Sequence, residues 1–548
     1  MRGLFILLVI VGSLPLAAQP VIDYPGAVNA ASYSPAGLPN SAIAQGSIFL
    51  VFGRNLGPAS IVSASSPLTT TLAGTSAQIT VNGTAVSPWI VYTSASQVAM
   101  VMPSSTPVGS GTITVTYNGQ TSTPAALQVS AGNFGIFTMN QAGSGPAVVT
   151  DADYVNITLT HAASPGQTLV LWGTGLGKIS ADETQAPPAG NVGVKPTVWV
   201  GLRQAPVLYW GRSPCCAGLD QINFQVPSGV AGCHVPIAVQ IGTAVSNFGS
   251  ISVADRGSSC SDPNGLGAAQ LTSVQNGQNL NVATVSLARS IVTTRLPAAS
   301  STTTTDSGSA TFLRYTPAQL LASNFGQAVS PGGCMVFPIS GRAAVTDPVH
   351  PLGLDAGAIT IGGTNGTVEL RVSSAQGYYS NTFGSGASGP FYLDIPMHTV
   401  NVFGGADVGS FAQELQMPPS LIWTNAGNIS TVSESQGVTL VWSNAVPNGY
   451  VTINGYSLTQ DQSGKFGAGA AFYCSAEAGP NGAGQFVVPP AVLLSLPLSA
   501  TSSSTIPGGF LGISSSRVPS DAFPATRGID AAFTSTSLQM LQNVVYAQ

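Results

Sequence analysis

Histidines and acidic residues are the side chains of this sequence that could carry out hydrolytic chemistry. A Ser-His-Asp system needs a histidine beside an exposed serine on a strained turn, and the G-x-S-x-G pattern of such a turn is absent. His398 follows Asp394 by four residues in DIPMHTVNVF, so the two side chains would share one face of a strand. We favour a polar residue at a strand start over a catalytic pair. The four histidines are His161, His234, His350 and His398.

Two pairs of neighbouring acids could supply catalysis or bind a cation. They are Asp151 with Asp153, and Asp182 with Glu183. Glycoside hydrolysis needs two carboxyl groups about 5 to 10 Å apart across a cleft. A calcium loop of the EF type needs further ligands at fixed positions and a closing glutamate, and TDADYVN lacks them. Solvated loop acids are therefore favoured, and the sequence assigns no catalytic, cofactor-binding or metal-binding residue.

Six cysteines form a predicted disulfide framework, because an even number in an exported chain favours pairing. A metal cluster is disfavoured, since no C-x-x-C occurs and only one histidine lies near. We expect the two downstream cysteines to pair with each other. Among the upstream four, we expect Cys233 to pair with one member of the adjacent pair and Cys260 with the other, because adjacent cysteines rarely bond. The six are Cys215, Cys216, Cys233, Cys260, Cys334 and Cys474.

Aromatic residues divide into core and surface candidates. Trp172 and Trp442 lie inside the apolar runs LVLWG and TLVWS, which predicts packing in a core. Three aromatic pairs flank predicted turns, where they could contact a partner or stack on a sugar. This predicted contact surface comprises Tyr209, Trp210, Tyr378, Tyr379, Phe391 and Tyr392.

Composition points to an exported all-β protein. Only 6% of the 548 residues are charged, whereas 64 are Gly and 39 are Pro. The N-terminal order of Arg2, an apolar run from Leu4 to Val11 and small residues before Ala18 is typical of a secretory signal peptide over residues 1–18. That run is too short for a membrane span, and no later span is predicted. The scattered basic residues exclude a stripe that could follow a nucleic-acid backbone.

One phrase of the sequence occurs twice and predicts a tandem repeat. GSIFLVFGRNLG at 46–57 returns as GQTLVLWGTGLG at 166–177, and three further phrases recur in the same order. Each unit has about seven short strands between regular turns, which indicates an immunoglobulin-like sandwich. The glycines of GTGLG are interpreted as turn residues and not as a phosphate loop, since no Lys-Ser/Thr pair follows.

A family resemblance covers residues 25 to 260. PGAVNAASYSPAGLPNSAIAQGSIFLVFGRNLGP, LWGTGLG and CCAGLDQINFQVPSGVAGC resemble a family of uncharacterised exported bacterial proteins common in acidobacteria. That family pairs two Ig-like units related to IPT/TIG domains. The resemblance implies fold and location, and it implies no activity or catalytic residue.

The whole chain is predicted to be all-β, with tandem immunoglobulin-like sandwiches followed by a larger C-terminal β-sandwich region. We expect sandwiches over 25–131 and 132–255, a linker or joint with a few strands over 256–330, and a C-terminal domain over 331–548. Within the joint, LNVATVSLARSIVTTRL could form one or two strands, whereas the Ser- and Thr-rich stretches cannot fill a core. PPAVLLSLP at 489–497 predicts a short helix entered through proline.

The predicted function is binding or structure without catalysis, at the cell surface, in the periplasm or outside the cell. The expected partner is an extracellular protein or a glycan, and neither a nucleic acid nor a cofactor is expected. Two alternatives stay open: a glycan-binding module, and a carboxylate-based hydrolase in the C-terminal domain that uses acids such as Asp394 or Asp407.

Overall fold

The computed structural model describes most of the chain beyond the N-terminal segment. The described residues are 18–187, 190–262, 265–296, 299–323, 329–340, 350–460, 466–499, 508–517 and 526–548. The predicted signal peptide falls almost entirely on residues 1–17, which lie outside this set. No described helix is long and apolar enough to cross a membrane.

The first sandwich consists of twelve described strands in two sheets. One sheet has the order β1-β3-β9-β8-β4 and the other β2-β12-β10-β6-β5, with β7 and β11 paired to β6 and β10. The strands are β1 Val21–Asn29, β2 Ile43–Ala44, β3 Ile48–Arg54, β4 Val62–Ser63, β5 Thr71–Leu72, β6 Thr75–Val81, β7 Thr84–Val86, β8 Trp89–Thr93, β9 Gln97–Val101, β10 Gly109–Tyr117, β11 Gln120–Thr121 and β12 Ala125–Ser130.

The second sandwich repeats this strand order except at the edge of one sheet. Its sheets run β13-β16-β21-β20-β17 and β14-β24-β22-β18-β19, with β15 and β23 paired to β16 and β22. In both units the second strand pairs in parallel with the last one. The strands are β13 Gly135–Ile136, β14 Gly145–Pro146, β15 Val149–Thr150, β16 Thr168–Thr174, β17 Gly190–Asn191, β18 Thr197–Val200, β19 Arg203–Ala205, β20 Val207–Arg212, β21 Asp220–Gln225, β22 Gly232–Ile241, β23 Ala244–Val245 and β24 Gly249–Val253.

The repeated phrase forms the same central strand in each sandwich. In β3, Phe49 and Val51 point into the core between the two sheets, where both are fully buried. Leu50 points to the opposite face and is also buried, beside the half-buried Ile48 and Phe52. Because both faces of the strand are covered, the run IFLVF is apolar throughout instead of alternating. The outer face of the first sandwich is therefore an apolar surface.

The C-terminal region is built on a 13-stranded sheet. Its order is β27-β38-β37-β40-β41-β25-β26-β31-β30-β29-β32-β33, with β28 paired to β26, and two small sheets have the orders β34-β36-β39 and β35-β42. The strands are β25 Leu280–Leu296, β26 Ala299–Tyr315, β27 Cys334–Ser340, β28 Leu352–Gly353, β29 Ile359–Gly363, β30 Gly366–Val372, β31 Tyr378–Gly386, β32 Met397–Val402, β33 Phe411–Gln416, β34 Ile422–Trp423, β35 Thr431–Ser433, β36 Val438–Ser443, β37 Tyr450–Gln460, β38 Phe466–Glu477, β39 Gly484–Val488, β40 Gly509–Arg517, β41 Ala531–Asn543 and β42 Val545–Ala547. The helices are α1 Ala268–Gln275, α2 Pro317–Ala322 and α3 Pro490–Leu493, with 3-10 turns at Tyr392–Asp394 and Ala426–Asn428.

Two large cores lie against this sheet, beside a smaller cluster that packs α1 on the start of β25. In one, Trp423 and Trp442 of the small sheet pack with Ile453 and Phe472 of β37 and β38. The other core lies among β25, β26, β29 and β32. The region is thus a larger β-sandwich, as predicted, and Trp442 is the buried core residue that its apolar run indicated.

The predicted joint is wrong for the segment 280–315. Its two halves form β25 and β26, which have 17 residues each and lie near the middle of the large sheet. The Ser- and Thr-rich stretch is the exposed first half of β26, whereas residues of its second half alternate into the core. Threonine suits a pleated strand, and its hydroxyl can remain in water, so a hydroxyl-rich run can still be a strand.

Candidate functional site

Asp394, the leading candidate for a catalytic acid, is held in an ion-pair network. Arg289 donates from Nη1 to Asp394 at 2.7 Å and from Nε and Nη2 to Asp306 at 2.8 Å each. The backbone N–H of Phe391, with that guanidinium, lowers the pKa of Asp394 below its ordinary value. A carboxyl group held ionised in this way is unsuited to donating a proton to a leaving group. His398 lies nearby but donates from Nε2 to the Ile395 carbonyl at 2.8 Å, and burial lowers its pKa.

Asp407, the second candidate acid, closes a turn. Its carboxylate accepts from the backbone N–H of Asp355 at 2.9 Å, and the carboxylate of Asp355 accepts from Gly357 and Ala406. Both acids therefore satisfy backbone donors of neighbouring loops. Such bonds stabilise a loop and leave the oxygens engaged.

Three of the four paired acids of the second sandwich also have structural partners. Asp151 contacts His161 at 2.9 Å, and this hydrogen bond lowers the pKa of Asp151. Asp182 accepts from the backbone and side chain of Thr184. Glu183 reaches the first sandwich, where the backbone N–H of Ser104 lies 2.9 Å from both carboxylate oxygens. Within the described ranges, no three His, Cys, Asp or Glu side chains form a group that could hold a metal ion.

Two of the six predicted contact aromatics are buried, which corrects that prediction. Tyr379 packs edge-on against Phe312, with ring centroids 5.9 Å apart. Tyr392 stacks on His398 and donates its hydroxyl to the Ile361 carbonyl at 2.7 Å. The sequence placed both beside turns, but the pleat of β31 and the turn at 392–394 direct these rings into the core.

The other four are half-buried, and the first three described below have local partners. Tyr209 donates to the Arg212 carbonyl at 2.8 Å, and Trp210 donates from Nε1 to the Val192 carbonyl at 2.7 Å. The guanidinium of Arg289 lies 5.5 Å from the ring centroid of Phe391. Tyr378 is the fourth residue of this group. Their role as a contact surface stays a prediction.

The disulfides match the prediction downstream and differ from it upstream. Cys334 and Cys474 are bonded across β27 and β38, as predicted. Cys233 bonds Cys260, and the adjacent Cys215 and Cys216 bond each other. The predicted crossing pairs fail because Cys216 precedes β21 and Cys233 follows it. The six residues of that strand put about 20 Å between the two sites.

A groove of about 790 Å³ lies between the outer faces of the two sandwiches. Its size is in the range of small-molecule sites. One wall comes from the 30–33 segment after β1 and from β3, β8 and β9 of the first sandwich, and the other from β16, the 137–156 segment and the Cys215 loop of the second. The lining residues are Ala30, Ala31, Tyr33, Ile48, Leu50, Val91, Tyr92, Ala99, Phe137, Thr138, Met139, Gln141, Val148, Asn156, Trp172, Cys215 and Leu219.

Local backbone features aim several of these side chains at the groove. A register shift between Ile90 and Tyr92 marks a bulge in β8, so Val91 and Tyr92 both line the groove while Ile90 enters the core. Tyr33 has a φ of 51° and Gln141 a φ of 57°. Tyr154, whose ring centroid lies 6.2 Å from that of Trp172, has a φ of 61°. This left-handed conformation costs bulky residues free energy, and such outliers occur at binding sites.

The groove is electrically neutral. Its lining contains no Lys, Arg, Asp, Glu or His among the described residues. Burial raises the pKa of Tyr33 and of Tyr92, so both phenols stay protonated. Gln97, which does not line the groove, donates to the hydroxyl of Tyr92. Trp172 donates from Nε1 to Thr150 at 3.1 Å, which fixes its ring at the groove and not in the core that the sequence predicted.

Polar contacts hold the two walls in register. Thr174 of β16 accepts from the backbone N–H of Ile48 at 2.8 Å and donates to the Gly218 carbonyl at 2.7 Å. Asn133 donates to the carbonyls of Asn40 and Ala42. A Cβ atom at Gly218, whose φ is 73°, would lie 2.7 Å from Ile48, so the Cys215 loop packs directly on the first sandwich.

The glycine-rich GTGLG turn binds a carboxylate of its own chain. The backbone N–H groups of Gly175 and Leu176 donate to Asp220 at 2.6 and 2.8 Å. Arg212 forms a buried ion pair with the same carboxylate and donates to the Gly177 carbonyl at 2.6 Å. This arrangement agrees with the interpretation of these glycines as structural.

No motif in the sequence predicted the groove, although two of its features were related to it. The continuous apolar run IFLVF indicated that the outer face of β3 is covered, and the adjacent cysteines marked an unusual loop. Neither signal says which surfaces meet.

Comparisons with known proteins find only weak likenesses. No protein-family model and no curated protein matches the chain. Domains 5 and 6 of the S-layer protein SbsC are 14% identical over 44% of this chain and 100% of that chain, with a TM-score of 0.15. The Bacteroides ovatus mixed-linkage glucan utilization protein SGBP-B is 11% identical over 86% and 91%, with a TM-score of 0.14. A tandem of titin Ig domains is 8% identical over 39% and 91%, with a TM-score of 0.12. Because these scores are low, the likenesses carry no argument, and the all-β, Ig-like architecture rests on the strand order above.

Proposed function

We propose that this protein is an exported, non-catalytic binding protein whose binding site is the groove between its first two sandwiches. The observation that carries this proposal is the groove itself: a neutral, largely apolar space of about 790 Å³ with fixed walls at the junction of two units. Pockets of this kind and position are the usual form of a ligand site.

Export is supported by the cysteines and the N-terminal sequence. All six cysteines form disulfides. Disulfides persist in oxidising compartments such as the periplasm or the outside of the cell. The signal-like order of residues 1–18 fits the same location, and so does the resemblance of 25–260 to an exported bacterial family with IPT/TIG-like units.

Binding without catalysis is supported by the bonds of the candidate acids. Asp394 is paired with Arg289, and Asp407 is bonded to the Asp355 backbone. A hydrolase would need one of these carboxyl groups free to accept or donate a proton at a cleft.

Two measurements test the proposal. N-terminal sequencing of the exported protein should give a start near Ala18, and retention of Met1 in the cytoplasm would contradict export. Titration of the purified protein with the neutral fluorophore N-phenyl-1-naphthylamine should give saturable binding, which Val91→Trp should weaken at least about tenfold by filling the groove.

A matched control places the same side chain outside the groove. Val108 is exposed on the first sandwich, so Val108→Trp should leave binding of the fluorophore unchanged. Equal binding by wild type and Val91→Trp would refute the groove as the site. Hydrolysis of a glycan that disappears in Asp394→Asn would refute the non-catalytic assignment.

A further inference from the structure

We propose that the groove binds an uncharged amphiphile, meaning a molecule with an apolar chain or ring system and a neutral polar head. This inference rests on the proposed function and adds the chemical class of the ligand. It follows from where the groove places its apolar, polar and charged atoms.

Part of the first-sandwich wall is aliphatic. Ala30, Leu50 and Ala99 are buried side chains without polar atoms, and Ile48 and Val91 extend the same surface. A sugar ring placed here would lose the water bonded to its hydroxyls and gain no protein partner in exchange. An alkyl chain loses nothing there and gains from leaving water.

Aromatic side chains lie around this aliphatic surface. Tyr33 and Tyr92 stand on the first sandwich, and Phe137 and Trp172 face them from the second. Cys215 adds the apolar surface of its disulfide to the wall. Such rings bury large apolar areas, which suits a chain or a flat hydrophobic body.

Uncharged polar groups lie on the second-sandwich side. Gln141 and Asn156 are exposed lining residues whose amides can both donate and accept hydrogen bonds. A carboxylate or ammonium head would find no counter-charge among the described lining residues, whereas a neutral head can bond to these amides. The head of the ligand is therefore neutral.

The walls are organised before a ligand arrives. The left-handed Tyr33 follows a turn in which Asn29 accepts from the backbone of Ala31 at 2.8 Å. Asn29 also donates to the Thr174 carbonyl of the second sandwich at 3.2 Å. A preformed site loses less conformational freedom on binding, which favours affinity for a small flexible ligand.

Displacement of N-phenyl-1-naphthylamine from the full exported chain tests the ligand class. The competitors are hexyl, octyl and decyl glucoside below their critical micelle concentrations, decanoate, and a glucan oligosaccharide without an alkyl chain. We expect affinity to rise about fourfold for each added methylene until the groove is filled. Decanoate should compete more weakly than decyl glucoside, and the oligosaccharide should not compete.

Variants link the effect to the groove. Val91→Trp and, from the opposite wall, Val148→Trp should each abolish the dependence on chain length, whereas Val108→Trp should retain it. If one variant unfolds, as circular dichroism would show, the other still decides the outcome.

Affinity that does not change with chain length contradicts an amphiphile. Displacement by the oligosaccharide at the same concentration as by decyl glucoside assigns the groove to a glycan. The proposed binding function would then survive while the ligand class fails. If the fluorophore itself does not bind to the groove, both fail.

Discussion

The two sandwiches share most of their strand order but differ in the connection between two neighbouring strands. In the first, β8 reaches β9 through the three residues 94–96, and in the second β20 reaches β21 through the seven residues 213–219. The longer loop carries the Cys215–Cys216 disulfide and packs on Ile48 of the first sandwich. The strands form the sheets and the core of each sandwich. This connection instead contacts the other sandwich and forms part of the groove.

Each copy also has a bulge in this edge region, with different results. In β8 the extra residue adds Val91 to the groove, whereas in β20 the register shift between Val207 and Tyr209 leaves Leu208 exposed. A repeated backbone feature therefore forms part of a site only where another surface covers it. The site arises from the asymmetry between the copies.

The largest expected effect comes from the buried ion pair of the second sandwich. At the corresponding position the first sandwich has Ser96, whereas the second has Asp220 bonded to Arg212. Arg212→Leu leaves a buried carboxylate without its counter-charge and should lower the free energy of unfolding by about 3 to 5 kcal/mol, measured by urea denaturation. Ser96→Ala should change it by less than about 0.5 kcal/mol. Similar losses in both variants would contradict the asymmetry.

The two upstream disulfides, Cys233–Cys260 and Cys215–Cys216, should differ almost as much in their contribution to stability. Replacing Cys233 and Cys260, which are 27 residues apart, should destabilise by about 3 to 4 kcal/mol in the chain-entropy model. Replacing Cys215 and Cys216 removes a bond that closes no loop, so the loss should stay well below this value. Thermal unfolding of the two double serine variants measures the difference, and equal midpoints would show that the Cys215 loop is a stability element.

A smaller effect is expected at the contact between the sandwiches. Glu183→Gln removes the charge that binds Ser104 and should cost about 1.5 kcal/mol. The quantity to follow is the cooperativity of unfolding. The first two sandwiches should unfold in a single transition in the wild type and in two separate transitions in Glu183→Gln. Asp182→Asn serves as the control, since Asp182 bonds only within its own loop in the described structure. If Asp182→Asn also unfolds in two transitions, the substitutions disturb the loop of Asp182 and Glu183 and not the contact between Glu183 and Ser104.

The smallest expected effect is an opposite pH response of two regions. Burial raises the pKa of Glu434 in the C-terminal region from 4.5 to about 7, so its folded state binds a proton more tightly than the unfolded chain. Its contribution is fully present below pH 4.5 and is lost as the pH rises through 7. Burial lowers the pKa of His234 in the second sandwich, so that unit should instead lose stability as the pH falls below 6.5.

Hydrogen exchange at several pH values can follow the two regions separately. Without screening, a pKa shift of this size would correspond to about 3 kcal/mol. Solvent screening lowers the expected change to on the order of 1 kcal/mol, and Glu434→Gln should remove the response of the C-terminal region alone. Identical pH responses in both regions would contradict the assignment of either group.

Local patterns determined much of the fold. The repeated phrase predicted β3 and β16, Pro490 predicted the start of α3, and Cys334 with Cys474 were correctly paired because they were the only two cysteines left for the C-terminal region. Period, turn residues and cysteine order act within one segment or one domain, and the sequence contains them directly.

Tertiary structure alone decided the features that depend on which surfaces meet. The burial of Tyr379 and Tyr392, the central place of β25 and β26, and the pairing of Cys233 with Cys260 each depend on contacts between segments far apart in the chain. The groove depends on them most, because an apolar outer face becomes a site only when a second sandwich is fixed opposite it. The sequence determined that the face of β3 is apolar, and the packing of the two units decided that the face lines a cavity instead of a closed core.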